Sequence, residues 1–162
     1  MQMSDQPSVS VETTIEAEPS SIYAIVADLD AMAAFGTEFQ RGEWIRGRPG
    51  ALGSVFVGHQ KMGDREWQST SVVVEREPDR VFAWAVGDPD EPVARWTFSL
   101  HRVPAGTEVR YDAVLGPGES GLTAAIAARP DAEEAIIDKR LANLQENMVK
   151  TLEGIRRRVE RR

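Results

Sequence analysis

Seven apolar residues near the C-terminal end, Ile137, Leu141, Leu144, Met148, Leu152, Ile155 and Val159, are spaced 4, 3, 4, 4, 3 and 4 apart. That spacing sets them in one stripe along a helix roughly 40 Å long, at about 1.5 Å per residue. Pro130-Asp131 opens the helix, with Asp131 as the expected N-cap and Glu133 and Glu134 in the first turn, and it is expected over about 131–160. A stripe of that length has to be covered. A coiled-coil dimer would cover it, but packing across a sheet in the same chain also gives the sheet a partner for its apolar face. The intramolecular arrangement is the expectation, with monomer and homodimer both left open.

The preceding residues supply such a sheet. Val9, Val11, Thr13 and Ile15 alternate with Ser10, Glu12, Thr14 and Glu16 as a half-buried first strand. Pro19-Ser20-Ser21 gives a turn with an N-cap hydroxyl, and Ile22, Ile25, Val26 and Leu29 share one face of a first short helix. Asp28-Leu29-Asp30 interrupts it, and Ala31 to Phe35 with Phe39 is expected as a second short helix before Gly42. Six strands follow: Glu43 to Arg46, Gly53 to Met62, Glu66 to Arg76, Arg80 to Gly87, Ala94 to Arg102 and Thr107 to Leu115. Gly63-Asp64 is a tight hairpin turn, and Asp88 to Pro92 is expected as a loop because proline donates no ladder hydrogen bond. A short apolar stretch, Leu122 to Ala128, leads to the long helix.

Composition removes several kinds of chemistry. The 162 residues carry 19 Lys and Arg against 26 Asp and Glu, a net charge of −7. That balance opposes phosphate backbones and anionic lipid surfaces, so no nucleic-acid partner is expected. Residues 153–162 are nevertheless net +3, through Arg156, Arg157, Arg158, Arg161 and Arg162 against Glu153 and Glu160. Cations there complement the carbonyl end of the helix dipole. The chain has no cysteine and two histidines, so disulfides and thiolate chemistry are excluded and no metal site or cofactor is expected. No cationic start precedes an apolar run, and no stretch approaches about eighteen apolar residues. One cytoplasmic domain over 1–162, with residues 1–7 flexible and no membrane insertion, is the expectation.

The order of elements resembles the helix-grip fold of the START and Bet v 1-like (SRPBCC) superfamily. Gly53-Ser54-Val55-Phe56-Val57-Gly58, Trp67, Val73 and Glu77-Pro78 through Phe82-Ala83-Trp84 are similar to its bacterial polyketide cyclase/dehydrase-type branch. So are Arg95-Trp96-Thr97-Phe98-Ser99-Leu100 and Gly106-Thr107-Glu108-Val109. Gly116 to Leu122 and Asn147 to Ile155 resemble the linker and helix of bacterial members, and the likeness runs from about Ser8 to Val159. It implies an α+β fold: a curved seven-stranded antiparallel sheet wrapped around the long C-terminal helix, with two short helices between strands 1 and 2. It also implies an apolar cavity between sheet and helix. Members bind or transform lipids, sterols, polyketides or hormones, and fold analogy does not choose among these.

Alternation then ranks the candidate site residues. Trp96, Phe98 and Leu100 face inward, with Arg95 and His101 outward; Phe82 and Trp84, and Val109, Tyr111 and Ala113, are inward on their strands. With Phe56 inward, Gln60 reaches the cavity and His59 faces solvent; Trp67 has no assignable face. On the long helix Leu144 and Met148 lie in the stripe and Asn147 at its edge. The expected ligand-binding set is therefore Phe56, Gln60, Trp84, Trp96, Phe98, Tyr111, Leu144, Asn147 and Met148, with Gln60 and Asn147 orienting the ligand. Among cyclases of this fold, polar pocket groups including arginine and tyrosine orient the chain. By that resemblance Tyr111 is the catalytic candidate, with Arg65 or Arg41 at the mouth, while Tyr23 lies off its helix stripe.

No phosphate loop, nucleophile elbow or metal-spaced histidine pair is present. The leading expectation is binding of a small hydrophobic molecule such as a lipid or polyketide. A cyclase, aromatase or dehydratase using the same cavity is the alternative, and a protein-interaction module using the basic helix end is a third. An empty void of about 300 Å³ would cost about 7 kcal/mol, comparable with a domain's whole stability. A modest, hydrated or filled pocket is therefore expected.

Overall fold

A computed structural model describes residues 1–36 and 38–160; the expected basic end at Arg161 and Arg162 lies outside the described residues. Seven strands form one antiparallel sheet in the order β1-β7-β6-β5-β4-β3-β2. They are β1 (Ser8–Ile15), β2 (Phe39–Arg46), β3 (Val55–Met62), β4 (Arg65–Glu77), β5 (Val81–Asp88), β6 (Glu91–Val103) and β7 (Gly106–Leu115). Four helices accompany them: α1 (Pro19–Val26), α2 (Leu29–Phe35), α3 (Gly121–Ala128) and α4 (Glu133–Glu160). The α+β helix-grip arrangement is as expected, an open curved sheet with two short helices between β1 and β2 and a long C-terminal helix.

The stripe on α4 buries Ile137, Leu144, Met148, Leu152, Ile155 and Val159, joined by Thr151, with Leu141 half-buried. Most of these meet Val73, Phe82, Phe98, Tyr111 and Ala113 from the sheet in one hydrophobic core. The second helix locks on through a close approach. A Cβ at Gly154 would stand 2.7 Å from Cγ and 2.9 Å from Cβ of Phe35, so glycine is what lets α2 lie against α4. The Arg158 guanidinium stands over that ring, 4.9 Å from its centroid.

Several boundaries differ from expectation for local reasons. α1 begins with Pro19 at its first position and has no side-chain cap, so the hydroxyls of Ser20 and Ser21 do not cap it. Asp28 caps α2 instead, accepting from the amides of Asp30 (3.0 Å) and Ala31 (3.3 Å). Phe39 is not helical. It opens β2, whose two register irregularities against β3 break the alternation that would have marked the strand. Pro92 lies inside β6 opposite Gly87, at a register shift that leaves Val93 as the extra residue and where Gly87 takes a positive φ of 81°. Leu122 to Ala128 belongs to α3, where Ser120 and Thr123 form a reciprocal capping box. Asp131 sits in a 3-10 turn, Pro130–Ala132, ahead of α4 rather than capping it.

Residues 1–7, expected to be flexible, make contacts of their own. The Met3 amide donates to Glu133 at 3.0 Å, and the buried Pro7 accepts from the Leu115 amide at 2.8 Å. Tyr23, expected off the stripe of α1, is buried edge-on to Phe82, with ring centroids 6.0 Å apart. His59 faces outward as expected, yet its side chain is only 19% exposed. Its Nε2 is buried without a hydrogen bond, 3.7 Å from Glu43. Among the described residues no helix is long and apolar enough to cross a membrane, and no three His, Cys, Asp or Glu side chains cluster to hold a metal.

Candidate ligand-binding cavity

Between the concave face of the sheet and α4 lies a chamber of about 150 Å³. Its sheet wall is aromatic because the register brings inward-facing rings side by side. Trp84 of β5 stands opposite Trp96 of β6, their rings stacked at 6.3 Å with 13° between planes. Trp96 contacts Tyr111 of β7 at 5.6 Å, and Phe56 of β3 meets Trp84 at 6.4 Å. Leu144 and Met148 close the chamber from α4, Val26, Leu29 and Met32 from α1 and α2. Phe39 lies over a thin part of the sheet: a Cβ on Gly42 or Gly58 would stand 2.7 and 3.0 Å from its ring.

Eight of the nine expected ligand-binding residues line this chamber, Phe98 being the exception. Phe98 is fully buried and stacked under the Tyr111 ring, centroids 3.9 Å apart. It supports the wall instead of forming it, packing against the Tyr111 and Trp84 rings that do line the chamber. Sequence alternation missed Ser69, Ser71 and Phe39, which also line the chamber, as well as Glu38 and Thr151. Ser71 and Ser69 stand opposite Phe56 and Gly58, so pairing β4 with β3 was the signal that would have placed them, and Trp67 with them.

The two expected orienting amides have partners of their own. Gln60 turns its nitrogen to the carbonyls of Gly58 (3.0 Å) and Trp67 (3.3 Å) while its oxygen accepts from Ser69 Oγ at 3.0 Å. Asn147 Nδ2 donates to Glu38 Oε2 at 3.1 Å, and Arg140 grips the same carboxylate through Nη1 at 2.7 Å and Nη2 at 3.0 Å. Tyr111 and Ser71 line the chamber, and their hydroxyls hydrogen-bond to no described residue. Burial pushes the Tyr111 phenol well above its ordinary range, which keeps it protonated.

A second compartment of about 320 Å³ opens beside the first, under α3, and shares Glu38, Gln60, Ser69, Val86, Trp96 and Leu144 with it. Arg65 lines this outer compartment, its guanidinium 5.0 Å above the Trp67 ring and against Gly121 of α3. Arg41, the other expected mouth arginine, is exposed on the far face of the sheet, opposite His59. The arginine that sequence reasoning missed is Arg140.

An open antiparallel sheet gripping a long helix around an apolar chamber defines a protein of the START and Bet v 1-like class. The sequence matches the family model described as polyketide cyclase / dehydrase and lipid transport over residues 6–149, and the chain belongs to that family. No curated protein matches the sequence. Among solved structures it is similar to the polyketide cyclase-like protein Cgl2372 from Corynebacterium glutamicum. That match has a TM-score of 0.69 and 24% identity, covering 94% of this chain and 91% of that one. It is similar to the di-domain aromatase/cyclase StfQ from the steffimycin biosynthetic pathway at a TM-score of 0.76 and 11% identity. The shares are 95% of this chain and 50% of that one. It is also similar to Ara h 8.0201 at 0.65 and 10% identity, over 96% and 99% of the two chains. At these identities the solved structures speak for the fold.

Proposed function

We propose that the protein binds a small, largely apolar molecule in the chamber between the sheet and α4. One observation carries this reading: a chamber of about 150 Å³ walled by Phe56, Trp84, Trp96 and Met148, whose amides and carboxylate are already bonded within the protein. Flat or chain-like apolar bodies gain burial there, and the hydroxyls of Tyr111 and Ser71 are the polar groups of the lining left for a ligand to satisfy. Left dry, a void of this size costs about 4 kcal/mol, so a ligand that fills it stabilises the fold.

Native mass spectrometry and thermal shift with 2-acetylnaphthalene, dodecanoic acid and cholesterol test the reading. At least one probe should bind one to one, raise Tm and quench the fluorescence of Trp84 and Trp96. No complex and no shift with any of them would sink it. The free Tyr111 hydroxyl favours a second reading, in which a bound poly-ketone is cyclised or dehydrated with Tyr111 as hydrogen-bond donor. Turnover of a linear poly-ketone thioester that Tyr111→Phe abolishes, with binding retained, would establish that reading over simple binding.

A further inference from the structure

Glu38, Arg140 and Asn147 stand where the chamber meets the outer compartment. The donors Arg140 and Asn147 both project from α4, seven residues apart and thus about 10 Å along one face of the helix. They converge on Glu38 Oε2, at 2.7 and 3.1 Å, while the second guanidinium nitrogen takes Oε1 at 3.0 Å. This is the planar, two-point recognition that arginine offers a carboxylate. The donors are fixed on the longest element of the fold, whose stripe is buried along its length. The acceptor comes from the short connection between α2 and β2. The Glu38 and Arg140 side chains are 15% and 23% exposed.

Charge around the pair is lopsided. The ionisable side chains lining the outer compartment are Arg65, Lys139 and Arg140 against Glu38 alone, in a chain whose net charge is −7. Beyond Glu38 the inner chamber has no ionisable side chain but Tyr111. An anion drawn fully inside would lose its hydration without compensation. An anionic head at the rim, with its apolar body inside, loses nothing of the kind.

We infer that the ligand is an amphipathic carboxylic acid whose carboxylate is held by Arg140 and Asn147 in the place Glu38 occupies, its apolar body in the chamber; this rests on the binding function proposed above. Exchanging one carboxylate for another leaves the charge of the site unchanged, and the displaced Glu38 turns into water, which solvates it. A neutral molecule that displaces Glu38 leaves Arg140 without a partner, so Glu38 selects for carboxylates.

Calorimetric titration of the whole protein with naphthalene-2-carboxylate and naphthalene-2-carboxamide, which share one apolar body, tests this. The acid should bind about tenfold tighter than the amide at low ionic strength, with the advantage shrinking as salt is added. Arg140→Gln should erase the preference and leave amide affinity within about twofold. Glu38→Gln should tighten acid binding several-fold, because a neutral amide holds Arg140 less firmly, and leave the carboxamide alone. Equal wild-type affinities for acid and amide, or equal losses of both in Arg140→Gln, would overturn the inference while the cavity function stands. Failure of Glu38→Gln to favour the acid would overturn the exchange, and failure of both compounds to bind would overturn inference and function together.

Discussion

Tyr23 and Tyr111 are the only tyrosines in the chain, and burial raises the pKa of each above its ordinary value near 10. For Tyr23 the nearby Arg76 offsets part of that rise, and Asp79 adds to it. Folded-state values above unfolded ones mean that their contribution to stability is fully present below about pH 10. It falls as pH rises further, because the unfolded chain releases phenolic protons that the folded chain keeps. In alkaline titrations, tyrosinate absorbance should therefore appear only as the protein unfolds, and Tyr111→Phe should soften the alkaline decline in denaturant midpoint. Tyrosinate formed near pH 10 in an intact fold would contradict this. At the residue scale, alternation read correctly which way Phe56, Trp84, Trp96, Phe98 and Tyr111 face, since a two-residue period decides the side of a sheet. It could not read depth. Phe98 and Tyr111 share one face and stack on each other, yet only Tyr111 lines the chamber, a distinction a two-residue period does not carry. Nor does period disclose that Asn147 is held by Glu38, a partner 109 residues away in sequence.

Helix α4 was legible nearly end to end because its stripe is long and its period unbroken. α3 was less so, being eight residues with no buried side chain, although the Ser120 and Thr123 pair is a readable start signal. β2 hid behind its bulges. The docking of α2 on α4 had no sequence signature beyond a lone glycine in a helix, where glycine ordinarily costs about 1 kcal/mol relative to alanine. Its use lies in the contact with Phe35. Gly154→Ala should thus lower stability by about 1–3 kcal/mol despite the better helix propensity, since the added methyl overpacks the ring. Combining it with Phe35→Ala should give less loss than the two single changes added together. Denaturant melts of the four proteins measure that coupling, and a stabilised Gly154→Ala would refute the account.

For the molecule as a whole, the chamber is a stability cost kept in the middle of a close-packed core. Ser71 is buried and lines the chamber, and its hydroxyl bonds no described residue. Ser71→Val should raise stability by about 1–2 kcal/mol through added apolar burial. The same change should weaken binding of 2-acetylnaphthalene, the usual exchange of function for stability. Loss of stability instead would mean that the chamber is hydrated around Ser71. The uneven charge read from the sequence at the C-terminal end has a second instance in the fold: the cations Arg65, Lys139 and Arg140 of the outer compartment gather beside the apolar chamber.

Sheet order carries a further consequence for the making of the protein. Ser8 pairs with Val114 and Ile15 with Thr107, so the first strand finds its neighbour only after six others exist. The concave aromatic face lacks the cover of α4 until residues 133–160 have been synthesised. During translation, Phe56, Trp84 and Trp96 therefore wait for this cover until the last residues of α4 are made. Long-range pairing of this kind is slow and prone to aggregation, so the order of synthesis leaves the aromatic face exposed for longest at the stage when the sheet is still incomplete.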